Sequence, residues 1–448
     1  MVCGAAEIIV TTVTNLLTRL FRLRDELLWV ATGHLLAFLG GLLGVKILTS
    51  QLGTDGYGHL ALGLSIAGFL TSFLHNPLSN AVARFYAPYR DTDRLSVYFG
   101  ALKHIHKELL RLILPFLIVA SLLLWCFTEG VWWSLVFYGL LFGAISGIGV
   151  SFLAWQNAAR DRRGAMLAQT ADVWLRIGFA FLGVYLFGTG TAALAGYCIG
   201  VIFVLLWQYL RFRKTENRAD CSDLILNEQQ LLQAKREFFL FSMPFVGYAL
   251  FTVATLYADR WILQAVAGAA SVGIYAALFQ IAASPVNLLF AVINQFMVPL
   301  IYERAGSMET REQRFGTRQM ILRTVLIAVL CSAAGTLLTA ILAHPVAELL
   351  TTKEFASMSG ILWKLVLGLS LWNIGQLMAL EGICANQPGI YLLPKGLHAL
   401  VLVACGIYLV EYNGVAGMAF AIIIAAVFYI ASVFLVNFRL QQRLGSAG

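Results

Sequence analysis

The sequence predicts an all-α membrane protein in which twelve transmembrane helices form two parallel-repeat six-helix bundles. Three observations predict it. The first is composition: of 448 residues, 60% are hydrophobic and only 12% charged, with a mean hydropathy of +0.79. A soluble domain carries roughly 25% charged residues, so most of this apolar surface must meet a bilayer instead of water. The second is a series of twelve apolar runs, each near the about 17–25 residues that a tilted spanning helix needs. The third is the alternation of basic residues between the connectors.

Taken in order, residues 1–27 are expected to form a cytoplasmic amphipathic N-terminal segment. Within it, Glu7 to Arg24 reads as an amphipathic helix lying on the membrane face. The order of basic cap, short apolar core and small-residue site is missing, so no cleaved signal peptide is expected. The first bundle, 28–210, takes Leu28–Leu48, His59–Asn80, Leu109–Phe127, Val131–Trp155, Ala165–Phe187 and Thr191–Leu210. The cytoplasmic linker, 211–237, is polar and charged. The second bundle, 238–438, takes Phe238–Tyr257, Val272–Leu300, Gln319–Leu342, Gly360–Cys384, Ile390–Val410 and Val415–Val436, and 439–448 is a cytoplasmic tail. Pro77, Pro244 and Pro285 interrupt spans by removing a backbone donor, and Gly40, Gly41 and Gly44 crowd the first span, where small residues allow close helix contact. Each breaker also suits ordinary membrane-helix composition.

Charge tests the count. Alternate connectors and span ends hold 25 of the 31 basic residues; the opposite side holds only Lys46, Arg260 and Lys353, and Arg176, Lys364 and Lys395 lie inside spans. That asymmetry places the basic side and both termini in the cytoplasm. The net charge of +8 therefore reports topology, and no nucleic-acid partner is expected. Each half has an even number of spans and starts from the same face, so a duplication would be parallel, about an axis along the membrane normal. An internal echo supports one: Ile47-Leu48, Gly53, Gly58 and Ala61 recur 215 positions later as Ile262-Leu263, Gly268, Gly273 and Ala276.

Together Leu52-Gly53, Tyr57-Gly58 and Ala61 with Asp259-Arg260, Gly268 and Val272-Gly273-Ile274-Tyr275 resemble the polysaccharide flippases. These are the O-antigen and exopolysaccharide exporters within the superfamily that also holds the MATE drug exporters. The resemblance spans nearly the whole chain. It implies a V-shaped, partly cationic central cavity between two bundles in the bacterial inner membrane. The implied cargo is an undecaprenyl-diphosphate-linked oligosaccharide carried for polysaccharide biosynthesis, with membrane lipids, a polymerase and glycosyltransferases as partners. It carries over the motif residues Gly58, Asp259, Arg260, Gly268, Gly273 and Tyr275. The first-half equivalents of Asp259-Arg260 are Gly44 and Val45, with Lys46 next, so the two links differ chemically.

Ionisable residues inside spans point to function or to structural pairing. Asp172 and Arg176, four apart, share a helix face near mid-bilayer; they read as a static ion pair or as a substrate-lining pair. Asp259 and Arg260 read as an interfacial anchor or as part of the cavity. Arginine's planar fork suits phosphate, which makes Arg84, Arg176 and Arg260 candidate contacts for a diphosphate, with Lys46 near the outer exit. Asn76 and Asn80 on the second span, and Gln280 and Asn287 on the eighth, can bind sugar hydroxyls or other helices. Asp172, Asp259 and Glu381 are candidate ion carriers, and Glu381 is placed to pair with Lys395. The chain has no Walker A loop, HExxH, nucleophile elbow or metal-ligand spacing, and its seven cysteines include no CxxC pair. No cofactor, metal or enzymatic step is expected. The alternatives are a cation-coupled MATE-type drug exporter, whose cavity would favour acids, and a membrane scaffold of a polysaccharide assembly complex.

Overall fold

The computed structural model describes the backbone of residues 2–127, 130–218, 228–306 and 310–446, and the side chains of residue 29 and residues 31–127, 130–216, 228–306 and 310–442. The amphipathic face expected for Glu7 to Arg24 rests on side chains outside the described residues. The regular structure is helical: α1 (Val2–Leu70), a π-helical turn (Thr71–His75), α2 (Asn76–Asp91), α3 (Leu95–Phe127), α4 (Trp132–Ala158), α5 (Arg162–Phe187) and α6 (Gly190–Arg218) make the first half. The second half is α7 (Glu228–Ala305), α8 (Arg311–Leu350), the short α9 (Lys353–Ala356), α10 (Leu362–Met378), the short α11 (Leu380–Cys384) and α12 (Leu392–Ser446).

Among the described residues nine helical segments are long and apolar enough to cross a membrane. The three longest helices each contain one residue outside helical geometry: Gly53 (φ 63°, ψ −173°) in α1, Gly268 (φ 79°, ψ 176°) in α7 and Gly414 (φ 54°, ψ −135°) in α12. A positive φ with an extended ψ is essentially restricted to glycine, so the chain bends sharply there without a loop. Divided at these glycines, the nine segments make twelve rods, the number of apolar runs in the sequence. The expected links between spans one and two, and between seven and eight, are thus helix with a single extended residue.

Helices also run past the apolar spans. α3 begins at Leu95, well before the run that starts at Leu109, and α8 begins at Arg311. Helical hydrogen bonding continues into water where caps supply it: the Thr310 hydroxyl accepts from Gln313 N (3.1 Å), and Gln313 Oε1 accepts from Thr310 N (3.3 Å). The linker differs from a plain connector in the same way. α6 reaches Arg218 and α7 starts at Glu228, where Ala234 and Phe238 bury themselves among Phe99, Tyr98 and Phe212 of the first half.

The two halves meet through α1 and α7. A Cβ on Gly58 would lie 2.0 Å from the Ala269 carbonyl oxygen, and a Cβ on Gly273 would lie 1.9 Å from that of Thr54. The pairs 58/273 and 54/269 share the 215-residue offset of the internal repeat. Equivalent glycines therefore touch reciprocally, as they must on a twofold axis between parallel repeats. In lipid, where burial of apolar area does not drive helices together, this backbone proximity lets dispersion and weak polar contacts hold them. Around the contact lie buried Leu48, Leu62, Leu263, Ala277 and Leu278. Gly58→Ala is expected to destabilise the folded protein by about 1–3 kcal/mol through overpacking, read by unfolding in detergent. Gly247→Ala, where nothing lies within 4 Å, is expected to stay near wild type.

Candidate functional site

α5 builds the site. Asp161 opens the helix by accepting from Gly164 N (3.0 Å), and three turns later α5 presents Asp172 and Arg176 on one face. Their side chains form an ion pair at 2.5 Å, each about one quarter exposed. Arg176 Nε also donates to the Asp172 carbonyl (3.1 Å). The guanidinium lies over the rings of Phe142 on α4 and Tyr197 on α6, at 5.7 Å from each. A planar cation against two π faces keeps part of the stabilisation it loses on leaving water.

This pair lines a cavity of about 300 Å³ whose polar wall comes from Thr71, Ser146, Gln169, Asp172, Arg176 and Gln208, with Tyr257 closing it from α7. At roughly 30 Å³ per water, it has room for about ten. The cavity sits inside the first half and meets the second at Tyr257, whereas the resemblance implied a chamber centred between the bundles. Sequence reading missed Gln169, Gln208 and the aromatic rings. Amides in apolar spans are a signal that could have found the first two.

Arg260 lies beyond Tyr257. Its guanidinium is 5.8 Å from the Tyr257 ring centre and 5.6 Å from that of Phe279, and Nη1 donates to the Leu256 carbonyl (2.9 Å). Asp259 Oδ1 lies 3.7 Å from Arg260 Nη1. Its side chain is only 4% exposed; Oδ2 accepts from the Tyr275 hydroxyl (2.6 Å) and Oδ1 from Arg260 N (2.8 Å). The carboxylate thus ties the two limbs of α7 together across the Gly268 break and is closed to water in this conformation.

The other candidates are dispersed. Asn76, Asn80 and Arg84, spaced by four, are exposed on one face of α2. Gln280 Nε2 donates to Ser284 Oγ (3.4 Å) and stands near Gly41, and Asn287 is exposed one turn further along α7. Lys46 Nζ donates to the carbonyls of Glu348 (3.4 Å) and Thr351 (3.0 Å), where the end of α8 leaves acceptors unpaired. Glu381 does not pair with Lys395: its Oε1 accepts from Gln441 Nε2 (2.7 Å), and Lys395 Nζ lies over the Tyr248 ring at 5.4 Å. Spacing could not reveal that Gln441, at the far end of α12, reaches this carboxylate first. Among the described residues no group of three or more His, Cys, Asp or Glu could hold a metal ion.

The profile of a polysaccharide biosynthesis protein family matches residues 23–304. No curated protein matches the sequence. Among solved structures, an inward-facing multidrug resistance MATE family transporter is 15% identical over 91% of this chain and 95% of its own, with a TM-score of 0.64. The lipid II flippase MurJ in an inward closed conformation is 14% identical over 91% of this chain and 87% of its own, at 0.65. A transporter from Pyrococcus furiosus, described as having a binding pocket of reverse polarity, is 15% identical over 93% of this chain and 96% of its own, at 0.58. At such identities the likeness is one of fold.

Tyr275→Phe removes the donor to a buried carboxylate and is expected to cost about 1–3 kcal/mol of stability. In a double-mutant cycle with Asp259→Asn, the two losses are expected to add to less than their sum, because both break one contact. Equal, additive losses in detergent unfolding would show that the two side chains act separately.

Proposed function

The chain belongs to the polysaccharide biosynthesis protein family and is a multi-pass membrane protein, and from that premise we propose that it flips a lipid-linked oligosaccharide across the bacterial inner membrane. The proposed cargo is an undecaprenyl-diphosphate-linked sugar unit, taken from the cytoplasmic face and released on the periplasmic face. Both termini are cytoplasmic in this reading, and no chemical step is assigned to the chain.

The observation that carries the reading is Arg176, a half-buried cation in the wall of a polar cavity within an apolar span. A charge at that depth costs about 2.5–3.5 kcal/mol on insertion scales. Asp172 and two aromatic rings offset much of that, yet leave the guanidinium in contact with a space that can hold water. A diphosphate, like a carboxylate, offers paired oxygens that can accept two parallel N–H bonds, and it carries more charge, so it can take over the fork of donors. Gln169, Gln208, Ser146 and Thr71 offer donors and acceptors to sugar hydroxyls. Asn76, Asn80 and Arg84 give a polar approach along α2 from the cytoplasmic side, and the prenyl tail stays in lipid. A cavity of about 300 Å³ is smaller than an oligosaccharide, so transit requires the halves to part. Arg260, behind Tyr257, and then Lys46, on the outer side, become accessible as they do. Asp172, freed when phosphate takes Arg176, is the best placed ion carrier; Gln280, Asp259 and Glu381 are held by protein partners in this conformation, and Asn287 is exposed on α7.

The acid in the same cavity favours one competing reading, a cationic cargo held by Asp172 as in a drug exporter. Single variants separate the two. Arg176→Ala and Arg260→Ala are expected to reduce translocation of the lipid-linked sugar at least tenfold, the scale of losing one charged contact of about 1.5–3 kcal/mol, with normal membrane expression. Asp172→Asn is expected to leave cargo binding intact. If Asp172→Asn instead abolishes binding of cationic compounds while the arginine variants translocate normally, the drug-export reading replaces this one.

A further inference from the structure

A second concave site lies on the back of the first half. Between α3, α4 and α6 runs a groove of about 680 Å³, within the roughly 300–1,000 Å³ range of ligand-holding clefts. Its floor is apolar: Leu110, Leu114, Ile148, Phe152, Leu205 and Leu206. It is separate from the polar cavity. α4 and α6 turn Val150, Leu153, Val204 and Gln208 to the cavity and their opposite faces to the groove.

One rim is cationic. Lys103, Lys107 and Arg111 follow one another at four-residue spacing along α3, and all three line the groove. Lys103 is held by Glu216 at 2.6 Å. The other nearby carboxylate, Glu108, is held by Lys235 at 2.5 Å. Lys107 and Arg111 are exposed and have no ion-pair partner among the described residues. They sit where α3 passes from its polar start into the apolar run beginning at Leu109, on the side that the charge asymmetry assigns to the cytoplasm. In the wall below them His106 is 8% exposed; its Nδ1 bonds the Leu102 carbonyl (2.8 Å), which leaves Nε2 an acceptor without a partner.

A basic rim at headgroup level above a greasy trough matches a single-headed anionic amphiphile. We propose that this groove is a binding site for an anionic phospholipid of the cytoplasmic leaflet, its phosphate on Lys107 and Arg111 and an acyl chain along Leu114 and Leu206. The charge supplies the selectivity, because a zwitterionic lipid fills the trough equally well but gains nothing net at the rim. The α4–α6 wall keeps this lipid apart from the cavity, so it is a bound neighbour and not the cargo.

The test uses the full chain, purified with equal amounts of phosphatidylglycerol and phosphatidylcholine and stripped stepwise in detergent, with retained lipid counted by native mass spectrometry. Wild type is expected to keep one phosphatidylglycerol per chain after phosphatidylcholine has gone. K107Q/R111Q is expected to weaken that retention by roughly ten- to thirtyfold, while K107R/R111K keeps it. Leu206→Trp fills the trough with the charges intact and is also expected to lose the lipid, which separates a groove from diffuse surface charge. Equal retention of the two lipids, or retention unchanged in K107Q/R111Q or in Leu206→Trp, overturns the site. Displacement of phosphatidylglycerol by equimolar undecaprenyl phosphate overturns the assignment of the occupant.

Discussion

Two stretches of backbone pressed together at Gly58 and Gly273 constrain everything else in this molecule. Neither position has room for a Cβ, and each glycine faces the carbonyl four residues before the other. The contact pins the halves at one level, and side chains tie them above and below it. On one side Lys46 reaches the end of α8, and Tyr57 meets Phe355 edge-on at 6.0 Å. On the other, Phe238 packs on Phe85 and Tyr98, and Tyr89 donates to Glu237 (2.9 Å). A hydrogen bond is worth about 0.5–1.5 kcal/mol net, so either set can yield while the backbone contact holds. The proposed transport by rocking halves requires such a fixed point.

The repeat is symmetric where it packs and asymmetric where it carries charge. Gly53 and Gly268 take the same unusual backbone conformation at equivalent positions. The Asp259–Tyr275 bond has no counterpart, since the first-half equivalents are Gly44 and Leu60. Gly44 instead receives α5: a Cβ there would lie 2.9 Å from Ile177, the residue after Arg176. The second half thus uses the Asp259–Tyr275 hydrogen bond to brace a bend. The first half spends the same space on drawing in the helix that bears the cavity's charges.

Much of this was legible in the sequence, for physical reasons. Apolar runs reveal spans because lipid tolerates little else. The 215-residue echo was readable because backbone contact admits only glycine, and a positive φ likewise. The i, i+4 spacing of Asp172 and Arg176 was enough to predict a shared face, and they do pair. Other features depend on tertiary choices that spacing does not encode. Nothing local says that Gln441 reaches Glu381 before Lys395, or that Lys46 caps a helix some three hundred residues away. Continuous helix through Gly53 and Gly268 was hidden because a one-residue break and a short loop have the same composition. The off-centre cavity was hidden because more than half of its wall is small, aliphatic or aromatic residues, which look like packing until their partners are known.

The seat of Arg176 also bears on how a charged cargo could leave once bound. A lone arginine at this depth would hold a diphosphate too tightly, because the bare cation would be costly to regenerate. Here release restores a ready-made ion pair and two ring contacts, so the empty state is itself stabilised. In the proposed reading, binding and release become an exchange of one anion for another on the guanidinium that Asp172 and the two rings hold in the empty state. Asp172 stays in the wall when phosphate arrives, so in that reading the loaded cavity carries excess negative charge until a cation joins it. Any cation that joins Asp172 when phosphate arrives would then travel with the cargo by electrostatic necessity alone.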